Sequence, residues 1–495
     1  MLSLRHETNS DLLRQAALLL DNENKRLLKE NVKLRKEISF LRGDPPPPVQ
    51  QSLQNLEDQL AANNRRLFGP SSEKLVKPSV KEKKARKKQT GHGPRVQPGL
   101  PIEEKVHVLD EADMQCPKCG GHLSEIVGQF EQSEEITIVS RKIVLVKHKR
   151  QKYKCTCQAC IETAIGPTKL IPGGRYSVEF AVETAIDKYL DHLPLTRQSK
   201  RMLRQGLKVD SQTLWDQIQA LGTKLKPVAD AIKEKILNSS VVFADETSWR
   251  MLNTGTKKWQ LWAIANSDLV YYHADPSRSK GTAAKLLGEY DGILMSDGYA
   301  VYKSLARDAP QMNLDGSGGH KIISANCWAH VRRKFVDIEK NYPRQCDKIL
   351  RLIGTLYKLE HKAKNETERI LIRNKRSRKV INAIKKWMNN QSCLPESGLA
   401  KAINYMNKLW SGLTAFLKNP EIPLDNNQVE RAMRGPVLGR KNHLGSKSKL
   451  GAEMTSVFYT IIESAKLCGV EPKEYLLKAA KAIIQNPSEI LLPSS

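Results

Sequence analysis

Residues 239–250, with the sequence SSVVFADETSWR, decide the fold. The apolar run before Asp245 indicates a buried strand that ends on this carboxylate. Residues 292–302, GILMSDGYAVY, repeat the arrangement with a short strand that ends on Asp297. Two strands that each end on an aspartate predict a pair of carboxylates at one edge of a sheet.

The segments around these two strands alternate in type. Residues 257–277 indicate a hairpin of two strands, 279–291 a helix, and 321–335 a strand that enters a helix. The order is therefore β-β-β-α-β-α-β-α, which predicts a ribonuclease-H-like core with the first and fourth strands as neighbours. Residues 337–419 are basic and helical in pattern, and we interpret them as an insertion into this core.

A third carboxylate lies in the stretch PLDNNQVERAMRGPVLGRKN at 423–442. Glu430 stands there among arginines, on a predicted helix that is capped near Asp425. With Asp245 and Asp297 it can hold two divalent cations about 4 Å apart, of which one activates water or a 3′-hydroxyl and the other stabilises the leaving oxygen. Oxygen ligands favour Mg²⁺.

A purely structural role for the same residues is the alternative. Each aspartate precedes a turn, where aspartate is common, and Glu430 can pair with Arg434 one turn on. The spacing of Cys327 and His330 is half of a metal-binding pattern, but no second pair lies nearby. We interpret Cys327 as a packing residue and His330 as a near-site candidate.

The composition favours a polyanionic partner. The chain of 495 residues has 81 lysines and arginines against 53 acidic residues, a net charge of +28 and a pI near 9.6. Such a surplus displaces counterions from phosphate, although a ribosome-associated or membrane-surface protein can be equally basic. The sequence has no apolar run of about 18 residues and no signal-peptide pattern. We therefore expect a soluble, intracellular protein, and the charge alone does not distinguish DNA from these other partners. Together with the motifs that follow, the prediction becomes a cytoplasmic, DNA-associated protein without membrane contact.

Five of the nine cysteines are clustered, which indicates metal ligands rather than disulfides. In CPKCGGHL, Cys116 and Cys119 have the spacing of a zinc knuckle. In CTCQAC, Cys157 and Cys160 supply a second pair across a predicted hairpin. Four thiolates leave no open position, so the predicted zinc ribbon holds one structural Zn²⁺ ion. Cys155 is an alternative ligand to Cys157.

The first residues predict a coiled coil. A leucine recurs every seven residues, at Leu13, Leu20, Leu27, Leu34 and Leu41. This is the seam of a leucine zipper, so we expect a homodimer. One amphipathic helix packed on its own protein is the alternative.

Two further segments are candidates for DNA contact. Residues 77–95 carry eight basic residues and one acid, and form a flexible linker, a DNA-tracking arm or only a solvated run. Residues 176–218 indicate two helices broken at QGLKVDSQT, with Asp210 or Ser211 as the cap of the second. The pattern is that of a helix-turn-helix-like unit or of a structural helical hairpin.

An ordered set of motifs across almost the whole chain resembles the transposases of the insertion-sequence-66 family, in the DDE class. In chain order they begin with the leucine-zipper start, RRLFGPSSEKL, the basic linker and the zinc ribbon. They continue with KYLDHLPLTRQ, ADETSWR, SDGYAVY, CWAHVRRKF, DNNQVERAMRGPVLGRKN and IESAKLCGVEPKEYL. The chain departs from the family at RKNHLGSKSKLGAE, where members read RKNWLFAGS, and it has an extra cysteine in CTCQAC.

The resemblance implies a catalytic triad at Asp245, Asp297 and Glu430. It also implies a bacterial mobile element whose DNA ends are cut and joined, with terminal inverted repeats and target DNA as the bound sequences. Two small accessory proteins from the same element are implied as partners. The departure at His443 and Gly445 changes local packing or contacts with the DNA end.

Together these patterns predict a multidomain α/β protein in seven segments. They are a leucine-zipper coiled coil (1–44), a second helix and basic linker (45–100), a zinc ribbon (101–170), a helical, helix-turn-helix-like DNA-binding region (171–237), the first part of a ribonuclease-H-like core (238–336), a helical insertion (337–420), and the core completion with the catalytic glutamate and C-terminal helices (421–495). The predicted DNA contacts are Lys83, Lys84, Arg86, Lys87, Lys88, Arg431, Arg434, Arg440 and Lys441.

The predicted function is that of a DNA transposase that binds the ends of its element and catalyses Mg²⁺-dependent cleavage and strand transfer. One alternative is a catalytically inactive end-binding protein or repressor, which metal-dependent cleavage would exclude. The other is a ribonuclease-H-like nuclease that cuts without joining, which a strand-transfer assay would exclude.

Overall fold

The computed structural model of the chain describes residues 26, 27, 30, 34, 58, 143–154, 161–163, 165–253, 258–308 and 322–493. Its strands are β1 (Lys152–Lys154), β2 (Ile161–Thr163), β3 (Val241–Arg250), β4 (Lys258–Ala265), β5 (Val270–Asp275), β6 (Gly292–Ser296) and β7 (Ile322–Asn326). β1 and β2 form a separate antiparallel pair. The other five form one mixed sheet in the order β5-β4-β3-β6-β7.

The helices are α1 (Val178–Tyr189), α2 (Leu195–Arg204), α3 (Ser211–Leu237), α4 (Lys280–Leu287), α5 (Ala300–Asp308), α6 (Trp328–Val336), α7 (Pro343–Glu360), α8 (Glu366–Ile372), α9 (Arg378–Asn389), α10 (Gly398–Lys408), α11 (Trp410–Leu413), α12 (Asn427–Ala432), α13 (Arg434–His443), α14 (Lys449–Leu467) and α15 (Pro472–Gln485). A π-helical segment (Arg373–Ser377) links α8 to α9, and a short 3₁₀ helix (Ala415–Leu417) follows α11.

The sheet has the element order that the sequence predicts. β3, β4 and β5 are antiparallel, whereas β3, β6 and β7 are parallel. The first and fourth strands of this sheet, β3 and β6, are neighbours, as expected. β4 lies inside the sheet, between β5 and β3, and its last five residues are all buried, in agreement with its apolar sequence.

One edge of the sheet is closed by side chains of α14. The backbone N–H groups of alternate residues along β5 donate to hydroxyls spaced four apart on the helix. The three bonds are Val270 to Ser464 at 3.0 Å, Tyr272 to Thr460 at 2.9 Å and Ala274 to Ser456 at 3.1 Å. An exposed edge would present unpaired N–H groups, so this hydroxyl row explains the polar residues on an otherwise apolar helix.

The helical region before the sheet is longer and more deeply packed than the sequence predicts. α3 does not end near Ile218 but continues to Leu237, because its apolar residues go on facing the core. Asp210 occupies the cap position, yet its side chain makes no capping hydrogen bond. Since α1 and α3 share one hydrophobic core with the sheet, residue 237 is not a boundary between compact units.

Between residues 337 and 420 the described chain is helical and contains no strand, as predicted for the insertion. Arg373 is 2% exposed there and forms an ion pair with Glu360. Its guanidinium also donates to the carbonyl oxygens of Phe416 and Ile422, each at 2.9 Å. This buried arginine ties the insertion to the segment that leads back into the core.

Much of the N-terminal third lies outside the described residues, including most of the leucine repeat, the basic run at 77–95 and the zinc-ribbon cysteines. Leu27 and Leu34 are described as helical, with exposed fractions of 44% and 51%. Across the described part of the chain, no helix is both long and apolar enough to cross a bilayer.

Candidate active site

Two parallel strands bring two aspartates to one edge of the sheet. β3 pairs with β6 from Val241 to Phe243, and Phe243 lies opposite Met295. Asp245 is two residues beyond Phe243, and Asp297 is two residues beyond Met295. The aspartates therefore occupy equivalent positions just past the paired segments.

The prediction that β3 ends on Asp245 is wrong. The strand continues to Arg250, because β4 pairs with it as far as the pair Arg250 and Lys258. Past Phe243, however, β3 has lost its parallel neighbour β6 and is paired on one side only. Asp245 thus lies in mid-strand, at the point where the sheet opens beside β3.

Asp297 is fixed by the turn that follows β6. Its Oδ1 accepts the backbone N–H of Tyr299 at 2.8 Å, and its carbonyl oxygen accepts the hydroxyl of Tyr405 at 2.7 Å. Gly298 has φ +93°, and a Cβ there would clash with Leu409. The glycine after Asp297 is therefore required by both the turn and the close approach of the insertion.

Asp245 is in an environment that disfavours its charge. Its Oδ1 accepts the backbone N–H of Glu246 at 2.9 Å. Burial, and then the negative charges of Glu246, Asp297 and Glu430, raise the pKa of Asp245 to about 7. A bound cation would reduce the repulsion between the Asp245 carboxylate and its negatively charged neighbours.

Glu430 reaches this edge because a buried asparagine anchors the start of its helix. Nδ2 of Asn426 donates to the carbonyl oxygen of Ala244 at 2.9 Å, next to Asp245. The backbone N–H of Asn426 donates to Sγ of Cys327 at 3.2 Å. α12 therefore begins at a point held between β3 and α6.

Asp425 is not the residue at the cap position. Asn426 occupies that position, and Oδ1 of Asp425 accepts the backbone N–H of Asn427 at 3.1 Å. The side chain therefore shapes the turn before α12, and the helix starts within two residues of the predicted place.

The side chain of Glu430 faces α6. Its Oε1 lies 3.4 Å from Nδ1 of His330, and its Oε2 lies 3.6 Å from Nη2 of Arg333. Within the described residues Glu430 forms no ion pair with Arg434, although Arg434 is one helical turn further on, because the carboxylate faces His330 and Arg333 instead. His330, a near-site candidate in the sequence, is in direct contact with the glutamate.

Two sets of side chains here have metal-binding chemistry. Asp245, Asp297 and Glu430 offer carboxylate oxygens, which Mg²⁺ prefers. Cys327, His330 and Glu430 form a second set whose ligand atoms lie within 4.8 Å of one another. Burial raises the pKa of the Cys327 thiol to about 12, and its sulfur already accepts a backbone hydrogen bond. The donor chemistry of the carboxylate set therefore suits a hard cation, although among the described residues only Cys327, His330 and Glu430 bring their ligand atoms within 4.8 Å of one another.

A fourth carboxylate, Glu246, was not among the predicted site residues. Its side chain is only 2% exposed and forms an ion pair with Arg278. Tyr302 donates its hydroxyl to Glu246 at 3.0 Å. The sequence signal was a second acid directly after Asp245, but its basic partner lies 32 residues away.

Arg278 connects this buried acid to the turn at Asp297. Its guanidinium lies 4.2 Å from the ring centroid of Tyr299, and the Tyr299 hydroxyl donates to the Arg278 carbonyl at 2.9 Å. Because Tyr299 also binds Asp297 through its backbone, one polar network stiffens both aspartate-bearing segments.

The predicted DNA contacts near Glu430 differ in their surroundings. Arg431, Arg434 and Lys441 are exposed and stay candidates for phosphate contact. Arg440 is half-buried, and burial lowers the pKa of its guanidinium. The five basic residues predicted between 83 and 88 lie outside the described part of the chain.

The guanidinium of Arg440 is bound by β3. Its Nη1 donates to Oγ1 of Thr247 at 3.2 Å, to Oγ of Ser248 at 3.1 Å and to the Ser248 carbonyl oxygen. These groups lie on the edge of β3 that lacks a neighbouring strand. Arg440 therefore covers an open strand edge.

Comparison with known proteins gives two family matches. Residues 173–454 match the family model described as Transposase IS66 family, and residues 113–158 match the zinc-finger binding domain of transposase IS66. The second match supports a bound zinc ion; it includes Cys116, Cys119, Cys155 and Cys157 and ends before Cys160.

Uncharacterized proteins of Sinorhizobium fredii (strain NBRC 101917 / NGR234) are similar to the chain. The protein y4jD is 32% identical over 410 residues, which cover 78% of this chain and 79% of y4jD. The protein y4qI is 30% identical over 404 residues, which cover 78% of this chain and 72% of y4qI.

Proposed function

The chain belongs to the IS66 family of transposases, and from this premise we propose that it cuts and joins DNA ends with two divalent cations held by Asp245, Asp297 and Glu430. The observation that supports this most is the shared register of the two aspartates, each two residues past the pair Phe243 and Met295. The anchored start of α12 adds Glu430 to the same edge.

The strand order supports a ribonuclease-H-like core. Three antiparallel strands are followed by two parallel ones in the order β5-β4-β3-β6-β7. In such a sheet the residues that follow the paired segments of β3 and β6 lie side by side at one edge. A long helical insertion between β7 and α12 accounts for the distance in sequence between Asp297 and Glu430.

Each residue has a separate task in this proposal. Bound Mg²⁺ would activate a water or a 3′-hydroxyl and stabilise the leaving oxygen. Asp245 and Asp297 hold their oxygens in place through backbone bonds to Glu246 and Tyr299. His330 and Arg333 orient Glu430, as partners of a ligand commonly do.

DNA binding is supported by the family, the zinc finger and the charge. The exposed cations Arg431 and Arg434 stand near Glu430, where backbone phosphates would approach the site. We propose that a dimer, formed through the leucine repeat, brings two element ends together. Leu27 and Leu34 support this, since their exposed apolar side chains lie one heptad apart on helical backbone.

The test uses duplexes that carry the chain's own element ends, incubated with Mg²⁺ and sized for cleavage and joining. Glu430→Gln, Asp245→Asn and Asp297→Asn should each lose both products while keeping end binding, because only the charge on a metal ligand is removed. Asp425→Asn is the matched control, since its side chain accepts a backbone hydrogen bond in the turn before α12 and is not among the proposed metal ligands.

Each outcome separates the proposal from its rivals. Binding without cleavage by the unaltered chain would make it an inactive end-binding protein or repressor. Cleavage without joined products would make it a nuclease. Near-normal cleavage by Glu430→Gln would remove Glu430 from the ligand set.

A further inference from the structure

A cleft that is separate from the proposed active site lies farther along β3, past Asp245. Its volume is about 370 Å³, within the range of pockets that hold small ligands. It is formed by the end of β3, the start of β4, the end of α13 and the loop that follows α13. The lining residues are Ser248, Trp249, Arg250, Lys258, Arg440, Lys441 and Leu444.

The rim of this cleft is strongly basic. Four of the seven lining residues are lysine or arginine, and none is acidic. Arg250, Lys258 and Lys441 are exposed, whereas Arg440 is held by Ser248. Three exposed cations around one opening complement a chain of phosphates.

An apolar side chain lines the same cleft as these charges. Leu444 is 55% exposed, on left-handed backbone with φ +62°. Gly445 follows with φ +92°, and a Cβ there would clash with the Arg250 carbonyl. Leucine rarely adopts this backbone conformation, so the loop presents Leu444 at a cost in stability.

The loop is rigidly attached to β3. The backbone of Ser446 bonds to Arg250 and to Leu252, each at 3.0 Å. Its hydroxyl accepts the indole N–H of Trp249 at 3.0 Å. Leu444 is therefore a fixed apolar surface beside exposed cations, which suits a nucleobase that is attached to phosphates.

The distance between the cleft and the proposed active site follows from the positions of their residues along β3. Ser248 and Arg250 are three and five residues past Asp245, or about 10 to 17 Å at about 3.3 Å per residue. Stacked bases are about 3.4 Å apart along one strand. The cleft is thus about three to five base steps from the bond to be cut.

We propose that this cleft binds one unstacked nucleotide of the element end, with its base against Leu444 and the adjacent phosphates against Arg250, Lys258 and Lys441. This inference rests on the proposed function, and it adds a site that recognises a distorted DNA end. A duplex interior, where unstacking is costly, would be excluded from the same position.

The experiment uses the full chain without added Mg²⁺, so that the DNA stays uncut. Duplexes of the element end carry 2-aminopurine at one position at a time, because this base fluoresces more when it is unstacked. We expect a fluorescence rise on binding at one position, about three to five steps from the end of the repeat. The same label placed in the middle of the duplex should give no rise.

Matched variants assign the signal to the cleft. Leu444→Ala and Leu444→Asn should lose the rise, and asparagine tolerates the left-handed backbone, so a loss in both does not come from strain. Leu438→Ala is the control, because Leu438 is 53% exposed on α13 but does not line the cleft. Lys258→Ala and Lys441→Ala should each lower the salt dependence of binding by about one phosphate contact.

The results separate this inference from the proposed function. If the DNA is bound and, with Mg²⁺, cut, but no label shows a fluorescence rise, the proposal that the cleft binds an unstacked nucleotide is wrong and the catalytic proposal stands. A rise that depends on Leu444, with no cleavage in Mg²⁺, would support the cleft and overturn the catalytic proposal. No binding to the end duplex would overturn both. A Leu444→Asn variant that changes oligomeric state, with no rise in the unaltered chain, would assign the cleft to a second copy instead.

Discussion

Nδ1 of His330 lies 3.4 Å from Oε1 of Glu430, and neither atom has a hydrogen-bond partner among the described residues. His330 is placed by α6, whose first residues are tied to the segment before α12 by the bond from Trp328 N–H to the Leu424 carbonyl at 2.9 Å. The histidine therefore lies where it can fix the direction of the Glu430 carboxylate, which we propose as a metal ligand.

His330→Gln should lower cleavage by about 10- to 100-fold, the usual effect of losing a group that orients a ligand. The Mg²⁺ concentration for half-maximal rate should rise, whereas binding to the DNA end should stay the same. His361→Gln is the control, because His361 is exposed on the insertion. An unchanged Mg²⁺ dependence would show that His330 only packs there.

The raised pKa of Asp245 predicts how metal-free stability depends on pH. The carboxyl group has a pKa of about 7 in the fold against an ordinary value of 3.8. Its favourable contribution is complete below the unfolded value and is lost as the pH rises through the folded one. The metal-free chain should therefore lose stability between about pH 4 and pH 7 through this group.

Adding Mg²⁺ should raise the melting temperature more at about pH 8 than at about pH 5, since at high pH the cation meets no competing proton. Asp245→Asn should weaken both the pH dependence and the Mg²⁺ effect. Calorimetry of both chains with and without Mg²⁺ measures the difference. An equal Mg²⁺ effect at both pH values would show that Asp245 is not a ligand.

The order of strands was predictable, but several contacts at the site were not. Apolar runs that stop at Asp245 and Asp297 carry a local signal, and strand order follows from the alternation of segments. The end of β3 has no such signal, because most residues past Asp245 are polar and their pairing with β4 keeps them extended. The pairs Glu246 with Arg278 and Glu430 with His330 join positions distant in sequence, and one sequence holds no record of such distances.

The zinc ligands are the next prediction. Cys119→Ser should release zinc from the ribbon, because Cys116 and Cys119 have knuckle spacing and both lie in the matched zinc-finger region. Cys155→Ser should matter less than Cys157→Ser or Cys160→Ser. Zinc content per chain after dialysis measures this. Loss of zinc in Cys155→Ser together with full retention in Cys157→Ser would replace Cys157 by Cys155 and make the second ligand pair Cys155 with Cys160.

The leucine repeat predicts the oligomeric state. Leu27→Lys places a charge in the proposed seam and should yield a monomer, since Leu27 is already exposed in a single chain. Such a monomer should still bind one DNA end but should not pair two ends. Sedimentation measures the mass, and a dimer of unchanged stability would place the interface elsewhere.

Arg440 and Arg434 provide the last prediction. Both lie in the basic stretch after Glu430, and of the two only Arg440 makes side-chain hydrogen bonds within the described part of the chain. Arg440 donates to Thr247 and Ser248 on the open edge of β3. Arg440→Ala leaves the Ser248 carbonyl without this partner, so the free energy of unfolding should fall by about 1–3 kcal/mol.

Arg434 is exposed, and Arg434→Ala should leave the free energy of unfolding unchanged. The Arg434→Ala variant should bind DNA more weakly. Its binding should also depend less on salt concentration, because one phosphate contact is lost. Denaturant melts and salt-dependent binding of both variants test this, and a stable Arg440→Ala chain with a reduced salt slope would make Arg440 a DNA contact instead.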